Sequence, residues 1–232
     1  MGKYPFLLSL VLLISVATYA QDSTRTGVKY GFLPLLSFNT DNGIYIGLQS
    51  QIYNYGDYQP FESYSRINVS YQSIGAFGIS LFHDKVKTLG TDIRSSYDFL
   101  MSQNLGNYYF GDTEEIPFEK ARFDTTSYYA FKSFRTSTGV STRFPIYFGE
   151  GNSRFDLKTG LRIVYEKPWD IDPNSFISNQ KYAGYDGSFV TFLEFGLLYE
   201  ARDNEFVSQR GIRIDVGTKI APPLLSTHVT AE

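Results

Sequence analysis

The chain has 232 residues, with 21 Lys and Arg against 24 Asp and Glu, and a formal net charge of −3. That mild balance provides no basic field for a nucleic-acid partner. Aromatic residues make up 17% (19 Tyr, 20 Phe and one Trp), and with no cysteine the fold can carry no disulfide.

The first element is Met1-Gly2-Lys3-Tyr4-Pro5, followed by an apolar run from Phe6 to Val16 and the small residues Ala17-Thr18-Tyr19-Ala20. A basic start, an apolar centre and a small-residue end are the order of a secretory signal. The run is short for a helical span, which needs about 20 apolar residues. A retained anchor is the alternative; the expectation is a signal over 1–20, cleaved after Ala20. No later run is long enough to span as a helix, so 21–232 is either soluble outside the cytoplasm or a membrane barrel.

From there the pattern has period two. Between Ser65 and Ser73, Ile67, Val69 and Tyr71 share one side, and Arg66, Asn68, Ser70 and Gln72 the other. From Arg154 to Glu166, Phe155, Leu157, Thr159, Leu161, Ile163 and Tyr165 alternate with Arg154, Asp156, Lys158, Gly160, Arg162, Val164 and Glu166. Phe189, Thr191, Leu193, Phe195, Leu197 and Tyr199 continue the theme, as do Ile212, Ile214, Val216, Thr218 and Ile220 against Arg213, Asp215, Gly217 and Lys219. Helices repeat every three to four residues, and strands buried on both sides are apolar throughout, so neither fits. Segments of ten to thirteen residues reach about 33 to 43 Å at ~3.3 Å each. A tilted strand crosses a bilayer in roughly 9–11 residues. The expected fold is all-β, an antiparallel transmembrane β-barrel. Its charged sides, which also carry Arg66, Arg94, Asp98 and Glu194, would line a lumen, where opposite charges pair between strands, and its aromatics would form girdles at the membrane interfaces.

Candidate strands cover 29–38, 43–53, 64–74, 76–84, 91–103, 125–136, 138–148, 153–167, 188–201 and 207–221. Asn39-Thr40-Asp41-Asn42-Gly43 is a hairpin signal, and Gly75 and Gly149-Glu150-Gly151-Asn152 mark tight turns. Longer loops fall at 54–63, 104–124 and 168–187. With 43–53 as the first spanning strand, the turns at 75, 149–152 and 202–206 lie on one side. Loops 54–63, 85–90 and 168–187 lie on the other, and 104–124 is the exception. In that scheme 29–38, which contains Pro34, is a lead-in or seam element; counting it as a full strand instead removes the exception at 104–124 but misplaces the other loops.

Gly31-Phe32-Leu33-Pro34-Leu35-Leu36-Ser37-Phe38, its turn, and Ile44-Tyr45-Ile46-Gly47-Leu48 resemble the opening of the BamA/TamA-like barrel, or bacterial surface antigen, family. Asn107-Tyr108-Tyr109-Phe110-Gly111-Asp112-Thr113 resembles another recurring segment of that family. Tyr199-Glu200-Ala201-Arg202-Asp203-Asn204-Glu205-Phe206-Val207-Ser208-Gln209-Arg210-Gly211 is similar to its Asp-x-Arg-Asp-Asn turn, with Gly211 releasing the chain into the next strand. The site residues this implies are Arg202, Asp203, Asn204 and Gly211. The resemblance covers nearly all of 21–232. It implies the outer membrane of a Gram-negative bacterium and a non-enzymatic protein-assembly or translocation role without cofactors. The surroundings would be outer-membrane lipid, and the partners unfolded outer-membrane proteins or a periplasmic factor.

There are departures. Ala201 stands where the family has a small polar or acidic residue, and Ser208 stands near its usual Pro. The family's Val-Arg-Gly-Phe motif is absent, as are periplasmic repeats before the barrel. Against a family barrel of about sixteen strands roughly six are missing. The ending Thr230-Ala231-Glu232 lacks a terminal aromatic, so the expectation is a truncated product or fragment.

Other constellations point to structure. Ser80 and His83 are three apart, on opposite faces of a strand, so Ser80, His83 and Asp84 do not read as a hydrolase triad. Asp170-Ile171-Asp172-Pro173-Asn174 starts like a calcium loop, but Ser175 and Lys181 replace the required Gly and Glu. Glu114-Glu115 reads as an acidic loop. Two other function classes remain: a passive pore or structural barrel, and a lipid-modifying barrel enzyme.

Overall fold

The computed structural model describes residues 26–40, 43–56, 61–110, 118–148, 153–180, 184–203, 205 and 208–228. The expected signal at 1–20 and the pair Glu114-Glu115 lie outside the described residues. The alternating segments fold into one antiparallel sheet, so the chain is all-β. Its strands are β1 (Val28–Asn39), β2 (Gly43–Asn54), β3 (Ser63–Gln72), β4 (Phe77–Lys85), β5 (Arg94–Tyr108), β6 (Ala130–Phe148), β7 (Arg154–Trp169), β8 (Ser188–Glu200) and β9 (Arg213–Ile220). Each pairs with the next in sequence, and a two-residue strand, β10 (Thr227–His228), also pairs with β8. Two short helices, α1 (Lys120–Thr125) and α2 (Phe176–Gln180), sit in the connections β5–β6 and β7–β8.

Two expectations are corrected. Segments 125–136 and 138–148 are not separate strands but the single β6, because Gly139 pairs within the ladder, with Asp98 on one side and Arg162 on the other. The count of strands before each later turn therefore drops by one, and the sidedness changes. The turn at Ser73–Ala76 and the connections carrying α1 and α2 share one end of the sheet. Connections 55–62, 86–93, 149–153 and 201–212 share the opposite end. Segment 29–38 is an ordinary edge strand. Pro34, which lacks an N–H, is tolerated there because an edge has one unpaired side.

Register sorts the side chains across the whole sheet. Leu36, Ile46 and Tyr71 lie in one row, and Ile67, Leu81 and Phe99 in another. Leu161 continues the same face between Val140 and Leu193. This face is open, from Phe32 on β1 (67% exposed) to Val216 on β9 (65% exposed). The compact core is correspondingly small. Phe61, Tyr64 and Val86 are buried with Tyr53, Tyr55 and Phe82 at the end away from the helices.

The ladder is interrupted near strand ends. β5 and β6 shift register between Asn104 and Asn107, and β6 and β7 between Pro145 and Tyr147. Beyond β9, Leu193 pairs with Ile220 but Phe189 with Thr227, so the intervening Ala221–Ser226 bows out of the ladder. Pro222 and Pro223 cause this, having no N–H to donate. The Ser226 hydroxyl accepts the Thr191 N–H instead, at 3.4 Å.

Amide hydrogen exchange on the folded chain should show slow exchange through β3–β8 and the fastest strand exchange in β1 and on the outer side of β9. Exchange in β1 as slow as in β5 would mean that another strand covers that edge.

Candidate functional site

The pleat places alternate residues on each face, and the face opposite the apolar one carries the charges. Arg162 on β7 donates to both oxygens of Asp98 on β5, at 2.6 and 2.8 Å. Its Nε reaches Glu194 on β8 at 3.4 Å, and Glu194 accepts Lys219 from β9 at 2.9 Å. Asp98 and Arg162 are separated by β6, whose residue opposite both is Gly139. A Cβ at that glycine would stand 2.7 Å from Asp98 Oδ1 and 3.3 Å from Arg162 Cζ. The absent side chain is therefore the passage through which the ion pair forms. Gly196 on β8 is constrained differently: a Cβ there would stand 2.7 Å from the Val216 carbonyl oxygen of β9. Lys158 lies opposite it, and its ammonium reaches Asp215 on β9 at 2.6 Å.

A second cluster occupies the end away from the helices. Arg94 lies directly opposite Arg143, an arrangement that repels unless acids surround it. Arg94 supplies the compensation through its own bonds. Nε and Nη2 donate to Asp84 at 3.0 and 2.6 Å, and Nη1 donates to both oxygens of Glu205 at 2.7 Å. Its guanidinium also lies 5.2 Å from the Phe61 ring centroid. Glu205 belongs to the β8–β9 turn, so this contact ties the turn to β5 past two intervening strands. Arg154 pairs with Asp156, which is 1% exposed.

The expected turn motif is brought together in that same connection. Arg202 donates to Glu200 through Nε and Nη2, each at 2.6 Å, and through Nη1 to the Glu205 carbonyl at 3.2 Å. These hydrogen bonds to the Glu200 carboxylate hold the Arg202 pKa above its ordinary value. Glu200, one residue before Ala201, is thus the acidic partner of Arg202. Asp203 accepts from the Gln209 and Arg210 N–H groups at 3.1 and 3.2 Å, and from Ser208 Oγ at 3.2 Å. Its own N–H donates to the Arg210 carbonyl at 3.1 Å. Gly211 has φ +99°, and a Cβ on it would meet the Ala201 carbonyl at 2.1 Å, so only glycine fits. Asn204 lies outside the described residues.

The remaining candidates disperse. Ser80 Oγ accepts from Asn68 at 2.9 Å, His83 Nδ1 shares a hydrogen bond with Ser65 at 2.8 Å, and Asp84 is held by Arg94. Asp170 takes Lys132 Nζ at 2.5 Å, and Asp172 accepts the Asn174 N–H at 2.8 Å as a turn former. Among the described residues, no group of three or more His, Asp or Glu converges as metal ligands would.

Sequence reasoning anticipated Arg94, Asp98, Arg162, Glu194, Lys158, Asp215 and Lys219 as a charged face. It missed the pairing of Asp84 and Glu205 with Arg94, and the passage at Gly139. Gly139, in the middle of a polar stretch, was the available signal for the latter.

Compared with known protein families, curated proteins and solved structures, the chain matches none of them.

Two sets of variants test these contacts, read by denaturant titration of unfolding. Arg94→Ala leaves Asp84 buried without its cation and should cost about 3–5 kcal/mol. Glu205→Gln should cost about 1–2 kcal/mol, with the double variant well short of the sum. Gly139→Val should cost about 1–3 kcal/mol by overpacking, and distinctly less when Arg162 is already Ala. Additive costs in either set would remove the pairing explanation.

Proposed function

We propose that residues 21–232 form part of the wall of a transmembrane β-barrel in the outer membrane of a Gram-negative bacterium, delivered there by a cleaved signal at 1–20. The observation that carries this reading is the two-sidedness of the sheet. An exposed apolar face runs unbroken from β1 to β9, and the reverse face is laced by ion pairs. A soluble sheet covers its apolar side with helices or a second sheet, whereas hydrocarbon covers it directly in a bilayer. Strand length supports the reading too. β7 has 16 residues and β5 has 15, longer than soluble strands usually run.

The role proposed is that of the BamA/TamA-like family: assembly or translocation of other outer-membrane proteins, through barrel mechanics rather than covalent chemistry. β1 and β9 run in the same direction, being an even number of antiparallel steps apart. A wall that stays antiparallel all the way round therefore takes a further odd number of strands between them. The Arg202–Glu200 and Arg94–Glu205 bonds make the β8–β9 turn a brace on the polar face. A second reading is a passive pore, whose lumen the charged face would line. Conductance across planar bilayers separates the two.

Full-length protein expressed with its leader should fractionate with outer membranes and migrate faster on gels when unheated than when boiled. Leu161→Arg, in the middle of the apolar face, should lower the folded, heat-modifiable fraction sharply, at about 2–4 kcal/mol near the bilayer centre. Gln49→Arg on the polar face should leave it unchanged. A processed chain that stays monomeric and soluble without detergent would overturn the reading.

A further inference from the structure

We infer that the polar face carries a binding site for a neutral saccharide, in the uncharged region of β2–β5 toward the helix-bearing end. This goes beyond the membrane reading above and does not rest on it, because only the polar face takes part.

The charges of that face are unevenly spread. Asp98, Arg162, Glu194 and Lys219 run across β5 to β9. Across β2 to β5, by contrast, two successive rows carry none. Gly47, Ser70, Gly78 and Ser102 form one, and Gln49, Asn68, Ser80 and Leu100 the next. Two cavities of about 320 and 350 Å³ lie over these rows, within the size range of small-molecule sites, roughly 300–1,000 Å³. They adjoin at Ser70 and Gly78, which line both, so a ligand of linked rings can occupy them together. No charged side chain lines either one.

The lining has the chemistry of a sugar's complement. Carboxamides and hydroxyls both donate and accept, as sugar hydroxyls do. Asn68 donates Nδ2 to Ser80 Oγ at 2.9 Å, but its Oδ1 is buried and accepts nothing. Exchanging O and N in that amide would only turn an orphan acceptor into an orphan donor. A polar atom buried without a partner costs free energy. Asn68 lines the first cavity, and a ligand hydroxyl supplies the missing bond once the amide turns toward it. Gln49, directly opposite, forms no side-chain hydrogen bond among the described residues and offers a second carboxamide. The same cavity has an apolar side for the C–H face of a sugar ring. Tyr45 lies over Gly47, with its Oη 3.3 Å from where a Cβ would stand, and Leu35 and Leu100 flank it. An extended peptide is a poorer occupant. The backbone of β3 and β4 is committed to ladders on both sides, so no strand edge is offered there.

The test uses the full chain folded in micelles of lauryldimethylamine oxide, a detergent without a sugar headgroup. The probes are the neutral trisaccharides maltotriose, cellotriose and triacetylchitotriose, with trigalacturonate as an acidic comparison. Saturation-transfer NMR reports contact, and calorimetric titration reports affinity. At least one neutral probe is expected to bind at millimolar concentration or below. Asn68→Ala and Tyr45→Leu should each weaken it about tenfold or more, through a lost hydrogen bond and a lost ring contact. Gln49→Arg should abolish binding with the far-UV circular dichroism unchanged, and Lys219→Gln, in the charged run, should leave binding as it was. No binding by any neutral probe overturns the inference. Binding that survives both Asn68→Ala and Tyr45→Leu overturns it too, as does tightest binding of trigalacturonate. Membrane fractionation is read separately on the same protein, so either reading can fail while the other stands.

Discussion

A pleated strand has two sides, and this chain assigns them to two different surroundings across nine strands. Everything else depends on that assignment staying in register. A slip of one residue would move every charge of a strand to the apolar face and every Leu, Ile or Phe to the charged one. The central pairings of β2 to β8 carry no irregularity. Both bulges, at Asn104–Asn107 and Pro145–Tyr147, lie toward strand ends. There they re-aim single side chains: Tyr108 and Tyr147 both turn outward after a break in parity.

Those breaks also explain what could and could not be seen in advance. The alternation at 154–166 and 188–199 is uninterrupted, and β7 and β8 lie where it placed them. β5 was expected to stop at 103, because the two-residue period fails there, yet the bulge carries it on to Tyr108. The expected division of β6 falls within Arg135-Thr136-Ser137-Thr138-Gly139, where no apolar residue marks the two-residue period. Thr136 and Thr138 in fact point to the apolar face, opposite Tyr165 and Ile163, and threonine suits a strand as well as a turn. The Arg202–Gly211 motif was visible through turn chemistry, since Asp203 and Gly211 do local work. Its link to Arg94 was not visible, because no local rule connects residues 111 positions apart.

The charged face is stabilised by connection more than by any single pair. Exposed ion pairs contribute little, but Asp98, Arg162, Glu194 and Lys219 form one run across β5 to β9, in which each inner member has a partner on either side. The run passes over β6 only because Gly139 has no side chain. Glycine weakens a strand locally, and here that weakness is offset by a bond between two strands that are not neighbours. At the other end Arg94, already held by the buried Asp84, also binds Glu205 of the β8–β9 turn, so the last hairpin of the sheet is fastened to its middle.

The matching polarity of the two edge strands has a consequence for self-association. Rotating a copy about an axis along the strands leaves every strand pointing the way it did. A ring of identical copies joined edge to edge would therefore meet in a parallel seam at each junction, whichever edges touched. Closure by copies related through such a rotation is thus disfavoured by direction alone, and the complement to either edge is a strand of opposite sense.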